Sequence, residues 1–392
     1  MSNVRNFDII IAGAGASGLG LAWEIMRRPD LSEYKVLVAD RSLSPIRDKT
    51  WCFWDKKEML LSEFIHHSWT SLEFRACGQV VSEQLKRLRY HCIKSDEFTE
   101  RIYSQLVNHG NFEFLETEIH DFTSQDDKGS MVTVDGTFRA SCIFQSVLKP
   151  KGFDQLKVDL SLKQHFKGWH IKADKPVFDA DKATFMDFDT EQNYGMTFYY
   201  VLPFSRHEAL VEYTLFSKSL LSDKEYEQKL AIYIRERYGL DSNDFEIVYK
   251  EKGVIPMEDR RYPAQYCNHV WNMGAVGGFS KPSTGYTFQR IMERNKYIAD
   301  ALSAGQMPSV APPSQYRFRV YDIMILYLME YHPGLTVRIF HELFQKNSMD
   351  RILGFLDENT RINQEVRIFS SLSWWPFFKS IYKMKHRIFT GA

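Results

Sequence analysis

The first strongly patterned stretch of the chain is an apolar run, Ile9-Ile10-Ile11-Ala12, bounded by Asp8 and Gly13. A run this short, closed by a turn glycine, reads as a buried parallel strand and not as a helix. After it, Leu19 to Arg28 carries apolar residues at helical spacing through Leu21, Ile25 and Met26, and Pro29 stops the helix. Lys35 to Ala39 is a second apolar strand. Strand, helix and strand in close succession predict a βαβ unit in a parallel sheet.

Further along, the period changes to two. Arg41 to Asp55 is loop-like, carries Pro45, and ends in an aromatic knot at Trp51, Phe53 and Trp54 whose alternation favours an extended piece. Strands are expected at 66–74, 90–93 and 111–121, and on both sides of the Asp135-Gly136 turn within 131–143. A helix is expected over 97–108, capped by Ser95 or Asp96. Residues 1–155 thus read as the first part of an α/β domain. Between 156 and 260 longer antiparallel patterning takes over, with strands at 164–173, 183–188, 196–202 and 209–216, the last two joined as a hairpin. Alternation in the last strand puts Glu212, Thr214 and Phe216 on one face and Val211, Tyr213 and Leu215 on the other. A capping box of Ser222 and Glu225 opens a helix that Gly239 closes. A short strand at Val270 returns the chain to the first domain over 261–305. Helical patterns at 315–344 and 348–355, after prolines at 308, 312 and 313, make 306–392 a helical C-terminal region. The expected fold class is α/β, a Rossmann-like domain with an antiparallel-sheet, α+β substrate insertion and a helical end.

The first turn carries chemistry. Gly13, Gly15 and Gly18, with Ala14 and Ala16 between them, make a G-x-G-x-x-G loop between strand and helix. Glycine at 13 permits the tight turn, at 15 it lets backbone approach a pyrophosphate, and at 18 it lets helix and strand pack closely. Asp40, at the end of the second strand, is placed to accept from a ribose hydroxyl. A secretory or membrane segment is the competing reading of the uncharged stretch 9–23, but four glycines and Glu24 fit it poorly. A second glycine-rich segment, with Gly274, Gly278 and the turn Pro282-Ser283-Thr284-Gly285, supplies backbone that can approach a ligand and hydroxyls at Ser283 and Thr284 that can donate to one.

Composition narrows the partners. Fifty basic and fifty acidic residues leave no net charge, so nucleic acid is not expected. Five cysteines, odd in number and without a CxxC pair, predict reduced thiols in a cytoplasmic protein, and His66-His67 lacks companions for a metal site. The 29 Phe, 20 Tyr and 8 Trp suit either a large core or a large apolar ligand. No apolar run reaches the roughly 18 to 20 residues that span a bilayer, so any membrane contact is peripheral. Trp374-Trp375-Pro376-Phe377-Phe378-Lys379, followed by Lys383, Lys385 and Arg387, has the make-up of an interfacial anchor, or of a packed helix end with solvated lysines.

Taken together, GAGASG, Thr50-Trp51-Cys52-Phe53-Trp54, Leu210-Val211-Glu212-Tyr213-Thr214, Gly253-Val254-Ile255-Pro256-Met257, Gly277-Gly278 and Lys281-Pro282-Ser283-Thr284-Gly285-Tyr286 resemble, in order, the flavin-dependent lycopene cyclases, most closely the bacterial beta-cyclases. The resemblance implies bound FAD, required reduced, with NAD(P)H as its possible source of electrons, and lycopene or another linear carotenoid as substrate. It implies a reaction without net redox change, in which protonation of a terminal double bond starts ring closure to a beta-ionone ring. The family's acidic motif falls on Glu212, with Tyr213 where a second acid usually stands, so a two-acid relay inside the motif is not expected. Where related flavoproteins carry Gly-Asp, this chain has Met273-Gly274-Ala275.

Glu212 also makes chemical sense as the acid, since an alkene is a very weak base and its proton donor must be neutral and sheltered. An edge-strand glutamate facing solvent is the plain alternative. Phe198, Tyr199, Tyr200 and Tyr286 are expected to line the substrate and supply cation–π stabilisation, about 2 kcal/mol each when desolvated. Asp187 reads as a core-edge ion pair, and nothing in the spacing selects Glu251 or Glu258. Two other functions stay open: a flavin redox enzyme such as a prenyl reductase or monooxygenase, and a carotenoid-binding flavoprotein without turnover.

Overall fold

The computed structural model describes residues 4–45, 47, 49–56, 61–308 and 314–389. Ile9 to Ala12 are essentially inaccessible to water in the Val4–Ala12 strand, which pairs in parallel with Val36–Asp40 on one side and Gly136–Gln145 on the other. The sheet continues in the order Gln265–Cys267, Val270–Asn272, Gly136–Gln145, Val4–Ala12, Val36–Asp40, Phe112–Glu116. Its Ile119–Gln125 and Lys128–Thr133 strands form an antiparallel ribbon against Gly136–Gln145. Val270–Asn272 adds to this sheet in parallel, beside Gly136–Gln145. The helix Phe288–Ser303 then packs beside the first helix, Ala16–Met26, with Asn295 Nδ2 donating to Ser17 O at 3.0 Å.

A second sheet runs Phe245–Glu258, Ser161–Ala173, Glu208–Ser217, Met196–Pro203, Lys182–Asp187, Ser71–Ala76, Gln79–Gln84. It draws two strands from the 1–155 stretch, the first pairing in parallel with Lys182–Asp187. The insertion is therefore built partly from chain that precedes it. One face of this sheet carries Val211, Tyr213 and Leu215, covered by the helix Asp223–Tyr238, whose capping box and left-handed Gly239 end stand as expected. The opposite face carries Glu212, Thr214 and Phe216, in line with the period of two. A third, three-stranded sheet, Thr50–Lys56, Leu88–Lys94 and His67–Trp69, stands between the two domains.

The expected single helix over 315–344 is two helices, Tyr316–Tyr331 and Pro333–Lys346. Pro333 has no N–H and disfavours helical backbone at His332, so the chain turns there and restarts with proline in its first turn. Pro312 and Pro313, markers of the expected linker, lie outside the described residues. The second helix reaches the large sheet, where Phe344 stacks on Phe74 with ring centroids 4.0 Å apart. Three short helices follow Met349–Leu356: Ile362–Ser370, Trp375–Lys383 and Lys385–Phe389. Arg387, one of the bases of the segment read as an interfacial anchor or a packed helix end, is buried, with Nε donating to Asp259 Oδ2 at 2.5 Å. Asp259 Oδ1 also accepts from the backbone N–H of Asp159 and Leu160.

A buried ion pair is costly to break from one side, because the surviving charge stays buried without its counter-charge. Arg387→Met is expected to destabilise the protein by about 3–5 kcal/mol, read as a lower midpoint in urea. Adding Asp259→Asn to it should restore part of the loss, and full additivity of the two changes would show that the pair is not coupled.

Candidate functional site

The two glycine-rich segments meet. Gly13 adopts a φ of +115°, and a Cβ at Gly18 would lie 1.8 Å from Gly13 O, so helix and turn pack as closely as the motif requires. A Cβ at Gly15 would meet nothing within 4 Å, which leaves the loop backbone open to a ligand. The helix beginning at Ala16 has no capping side chain and no acid in its first turn. Its N–H groups and positive dipole end are free to face an anion. Asp40 is turned onto this loop, accepting from Ala14 N and Arg41 N at 2.6 Å each. It thus fixes the turn, and each carboxylate oxygen keeps a second lone pair for a ribose hydroxyl. Gly274 brings the second segment alongside, its Cβ direction 3.3 Å from Ser17 Cβ.

From Ala275 the groove opens into a cavity of about 300 Å³ lined by Thr50, Cys52, Tyr90, Gln164, Phe166, Tyr200, Glu212, Glu251, Thr284, Gly285 and Tyr286 among others. Gly285 sits at a φ of +71°, and any Cβ there would strike Gln164 Oε1 at 2.0 Å. Buried Ser17 Oγ and Gln164 Oε1 have no hydrogen-bond partner. An open glycine loop, an uncapped helix start and two orphaned polar atoms along one groove fit a dinucleotide with a polar ring system at its far end. Ser283 does not join this set, because its hydroxyl donates to Asp322 Oδ1 at 2.6 Å. Gly278 also looks elsewhere, toward Tyr262 and a separate cavity. Thr284 and Gly285 do line the pocket.

Glu212 is 9 % exposed and its neighbours are mostly aromatic. Burial pushes its carboxyl up to about 7, against the opposing hydrogen bonds of Thr214 and Glu251. The Thr214 hydroxyl donates to Glu212 Oε1 at 2.5 Å, and the Thr50 hydroxyl donates to Glu251 Oε2 at 2.8 Å. Tyr200 stands directly opposite Glu212 on the neighbouring strand. Its hydroxyl is in hydrogen-bond contact with that of Tyr286, which lies 3.1 Å from the Tyr90 hydroxyl. Phe198, expected to line the substrate, is fully buried behind Tyr200 and is not among the residues lining this cavity. Tyr199 points to the opposite face and stacks on Tyr233. Beyond Tyr200 and Tyr286 a narrow slot of about 50 Å³ continues between the sheet and the C-terminal helices, lined by Phe185, Phe216, Met329, Phe340 and Phe344.

The remaining acids separate cleanly. Asp187 pairs with Arg237 at 2.5 Å and accepts from Tyr233 at 3.0 Å. Glu258 is held by Arg260 and Tyr262. Asp357, which spacing did not single out, is raised to about 8 by burial but lies in a small cleft on the other side of Tyr286. Glu251 was invisible as a partner of Glu212 because 39 positions separate them in the chain. Only the strand order, with Ser161–Ala173 between their strands, brings them together. Among the described residues no group of three or more His, Cys, Asp or Glu is arranged to hold a metal.

The profile of the family described as "Lycopene cyclase protein" matches residues 8–382. A relative named neoxanthin synthase, from Solanum lycopersicum, is 27% identical over 335 residues, covering 78% of this chain and 62% of its own. One named lycopene beta cyclase, from Arabidopsis thaliana, is 23% identical over 315 residues, covering 75% and 60%. The chain thus spans about three fifths of the length of these relatives. Among solved structures, a flavoprotein/dehydrogenase from Cytophaga hutchinsonii superposes with a TM-score of 0.65 at 14% identity, covering 97% of this chain and all of its own. The last comparison speaks to a flavoprotein fold.

The raised carboxyl has a stability signature. Below its ordinary value of 4.5, Glu212 is neutral folded or unfolded and costs nothing. Between 4.5 and about 7 the unfolded chain releases the proton and the folded one keeps it, so stability falls as pH rises, and above about 7 the whole penalty is present. Glu212→Gln is therefore expected to match the native protein at pH 4 and to exceed it by up to roughly 3 kcal/mol at pH 8. Denaturation curves across this range that run parallel for the two proteins would contradict a raised Glu212.

Proposed function

The chain belongs to the lycopene cyclase protein family, and from that premise we propose that it is a lycopene beta-cyclase closing the linear ends of a carotenoid into beta-ionone rings, with FAD as its cofactor. The observation that carries this reading is the buried carboxyl of Glu212, pushed up to about 7, inside an aromatic cavity at the end of the glycine-rich groove. Burial shifts the acid toward its neutral form and withholds the water that would otherwise capture a carbocation. Glu212 gives its proton to the terminal double bond, and the tertiary cation closes onto the next double bond. Loss of a ring proton to a carboxylate then restores the acid, so no electrons leave the system. The faces of Tyr200 and Tyr286 stabilise the cation, about 2 kcal/mol per ring when desolvated. Reduced FAD, when bound, supplies further negative charge beside the cation.

The C-terminal helices support delivery of such a substrate from a membrane surface. Trp374, Trp375, Phe378 and Tyr382 are 63%, 79%, 50% and 69% exposed, and the last three share one side of the Trp375–Lys383 helix. From Arg361 to Phe389 there are six lysines and arginines against one acid, Glu365, and that acid is buried against Arg317. Exposed aromatics in a basic setting with no exposed acid match the interface of an anionic bilayer. No helix among the described residues is long and apolar enough to cross it. All five cysteines are free, as suits attachment to the cytoplasmic face.

In cells that accumulate lycopene, the native chain is expected to shift the pigment from red to orange-yellow, and Glu212→Gln to lose at least 100-fold of that turnover. With purified protein, reduced FAD should suffice without stoichiometric NADPH. Hydride or oxygen in the product would instead mark a redox enzyme, and lycopene binding without ring formation a carrier. For the membrane, the Trp374→Ala/Trp375→Ala/Phe378→Ala protein should bind phosphatidylglycerol-containing vesicles at least tenfold more weakly than the native chain. Equal binding by the two would remove this face from consideration.

A further inference from the structure

The Glu208–Ser217, Ser161–Ala173 and Phe245–Glu258 strands are adjacent, and their register places Glu212 opposite Gly168 and Gly168 opposite Glu251. Two carboxyls thus flank a position with no side chain, on the same face of the sheet. Any Cβ at Gly168 would meet Leu210 Cδ1 at 2.9 Å and Glu251 Cγ at 3.1 Å, and would lie 3.6 Å from Glu212 Cβ. With the gap empty, the side chains reach across the intervening strand and hydrogen-bond to each other. Glu251 is 3 % exposed. Two buried carboxyls in hydrogen-bond contact require a proton between them, since two carboxylates would present only acceptors to each other.

We infer that Glu251 is a positioning residue for Glu212, and that the pair, joined over Gly168, holds one proton in common through the neutral range. The inference rests on the proposed acid role of Glu212. Its consequence is electrostatic. With one proton between them the pair carries a single negative charge, to which the Thr50 hydroxyl donates at Glu251. It is the loss of that last proton, leaving two charges over one glycine, that is pushed up. The same negative charge offsets the cation that forms when Glu212 delivers that proton to carbon. In that step the Glu212 O–H bond breaks and a C–H bond forms from the alkene electron pair. When the ring C–H bond later breaks to give the new double bond, its proton returns to a carboxylate oxygen of the pair, so acid, charge and electrons balance over the cycle.

The groups facing the pair from every packed element are few. They are Tyr200 on the strand beside Glu212, Thr50 and Cys52 on the Thr50–Lys56 strand, Tyr90 on Leu88–Lys94, Tyr286 on the glycine-rich loop, and Lys49 at the mouth. Burial drives Cys52, Tyr90, Tyr200 and Tyr286 upward, so all four are neutral between pH 5 and 9. Within this cavity a titration in that window therefore belongs to the carboxyl pair, with apparent values that are properties of both residues together. Asp357, raised to about 8 on the other side of Tyr286, is taken out of the readout by recording every protein in an Asp357→Asn background. Tyr213, in the place where the family's second acid stands, lies on the opposite face under the Asp223–Tyr238 helix and takes no part.

The test is the pH dependence of the native protein, Glu251→Gln and Gly168→Ala, read in two ways. In difference infrared spectra, the native protein should keep a protonated carboxyl band beyond pH 7, and both variants should lose it at least one pH unit lower. The cyclisation rate should fall with rising pH along the same limb, displaced by the same amount, while the rate at acid pH stays within about tenfold. Gly168→Ala keeps both acids and only wedges them apart, so it serves if Glu251→Gln fails to fold. A band and a limb that stay where the native protein has them would overturn the shared proton. If the band behaves as expected but no protein makes cyclised product from lycopene, the pair stands and the cyclase reading falls.

Discussion

A carboxyl taken out of water must be kept from becoming an isolated buried ion, and the centre of this fold is arranged around that demand. The Tyr200–Glu212–Gly168–Glu251 rung answers it with four adjacent strands. Each strand contributes one residue, and each residue is placed by register and not by a flexible loop. A slip of one position in any of these pairings would turn its acid to the other face, into the apolar layer under the Asp223–Tyr238 helix. The geometry of the carboxyl pair is therefore as stable as the sheet that carries it.

The remaining architecture follows from giving that rung a neighbour and a cover. The parallel sheet brings the Gly13–Gly18 loop and the Gly274–Gly277 turn together, and their groove runs into the cavity through Ala275. The Lys281–Tyr286 loop is pinned from behind, with Lys281 bridging Asp322 and Glu358 and Ser283 bonded to Asp322. Pinning holds Gly285 hard against Gln164 and Tyr286 over the acid. The helices Tyr316–Tyr331 and Pro333–Lys346 close the same sheet face farther along, leaving only a slim apolar slot. In the proposed reading, a slim apolar chain is the ligand that such a slot would take.

Much of this was legible in the chain. The βαβ unit, the hairpin, the capped helix and the facing of Glu212 all follow from period, turn chemistry and caps, which are local. The break at His332-Pro333 was legible too, but helical periodicity on both sides masked it. Three features were not legible, each because it depends on pairing between distant segments. The Ser71–Ala76 and Gln79–Gln84 strands join a sheet whose other members begin at Ser161. Arg387 looks like one more solvated base until Asp259 is seen to face it. Glu251 becomes meaningful only once a third strand, with a glycine at the right register, is laid between it and Glu212.

That last point bears on how one fold serves different chemistries. A groove that holds a dinucleotide says where electrons can be stored, and the same architecture is shared at low sequence identity with a protein named as a flavoprotein/dehydrogenase. Fold alone does not choose between passing those electrons on and using their charge. The choice is made on the facing sheet. A redox site needs its substrate carbon or oxygen against the ring and has no use for a neutral acid kept costly by burial. A buried carboxyl pushed up to about 7, tied to a second one and walled by tyrosine faces, is a poor design for stability, and it suits the proposed carbocation chemistry. The free energy spent on burying that pair is the most specific statement the structure makes about its chemistry.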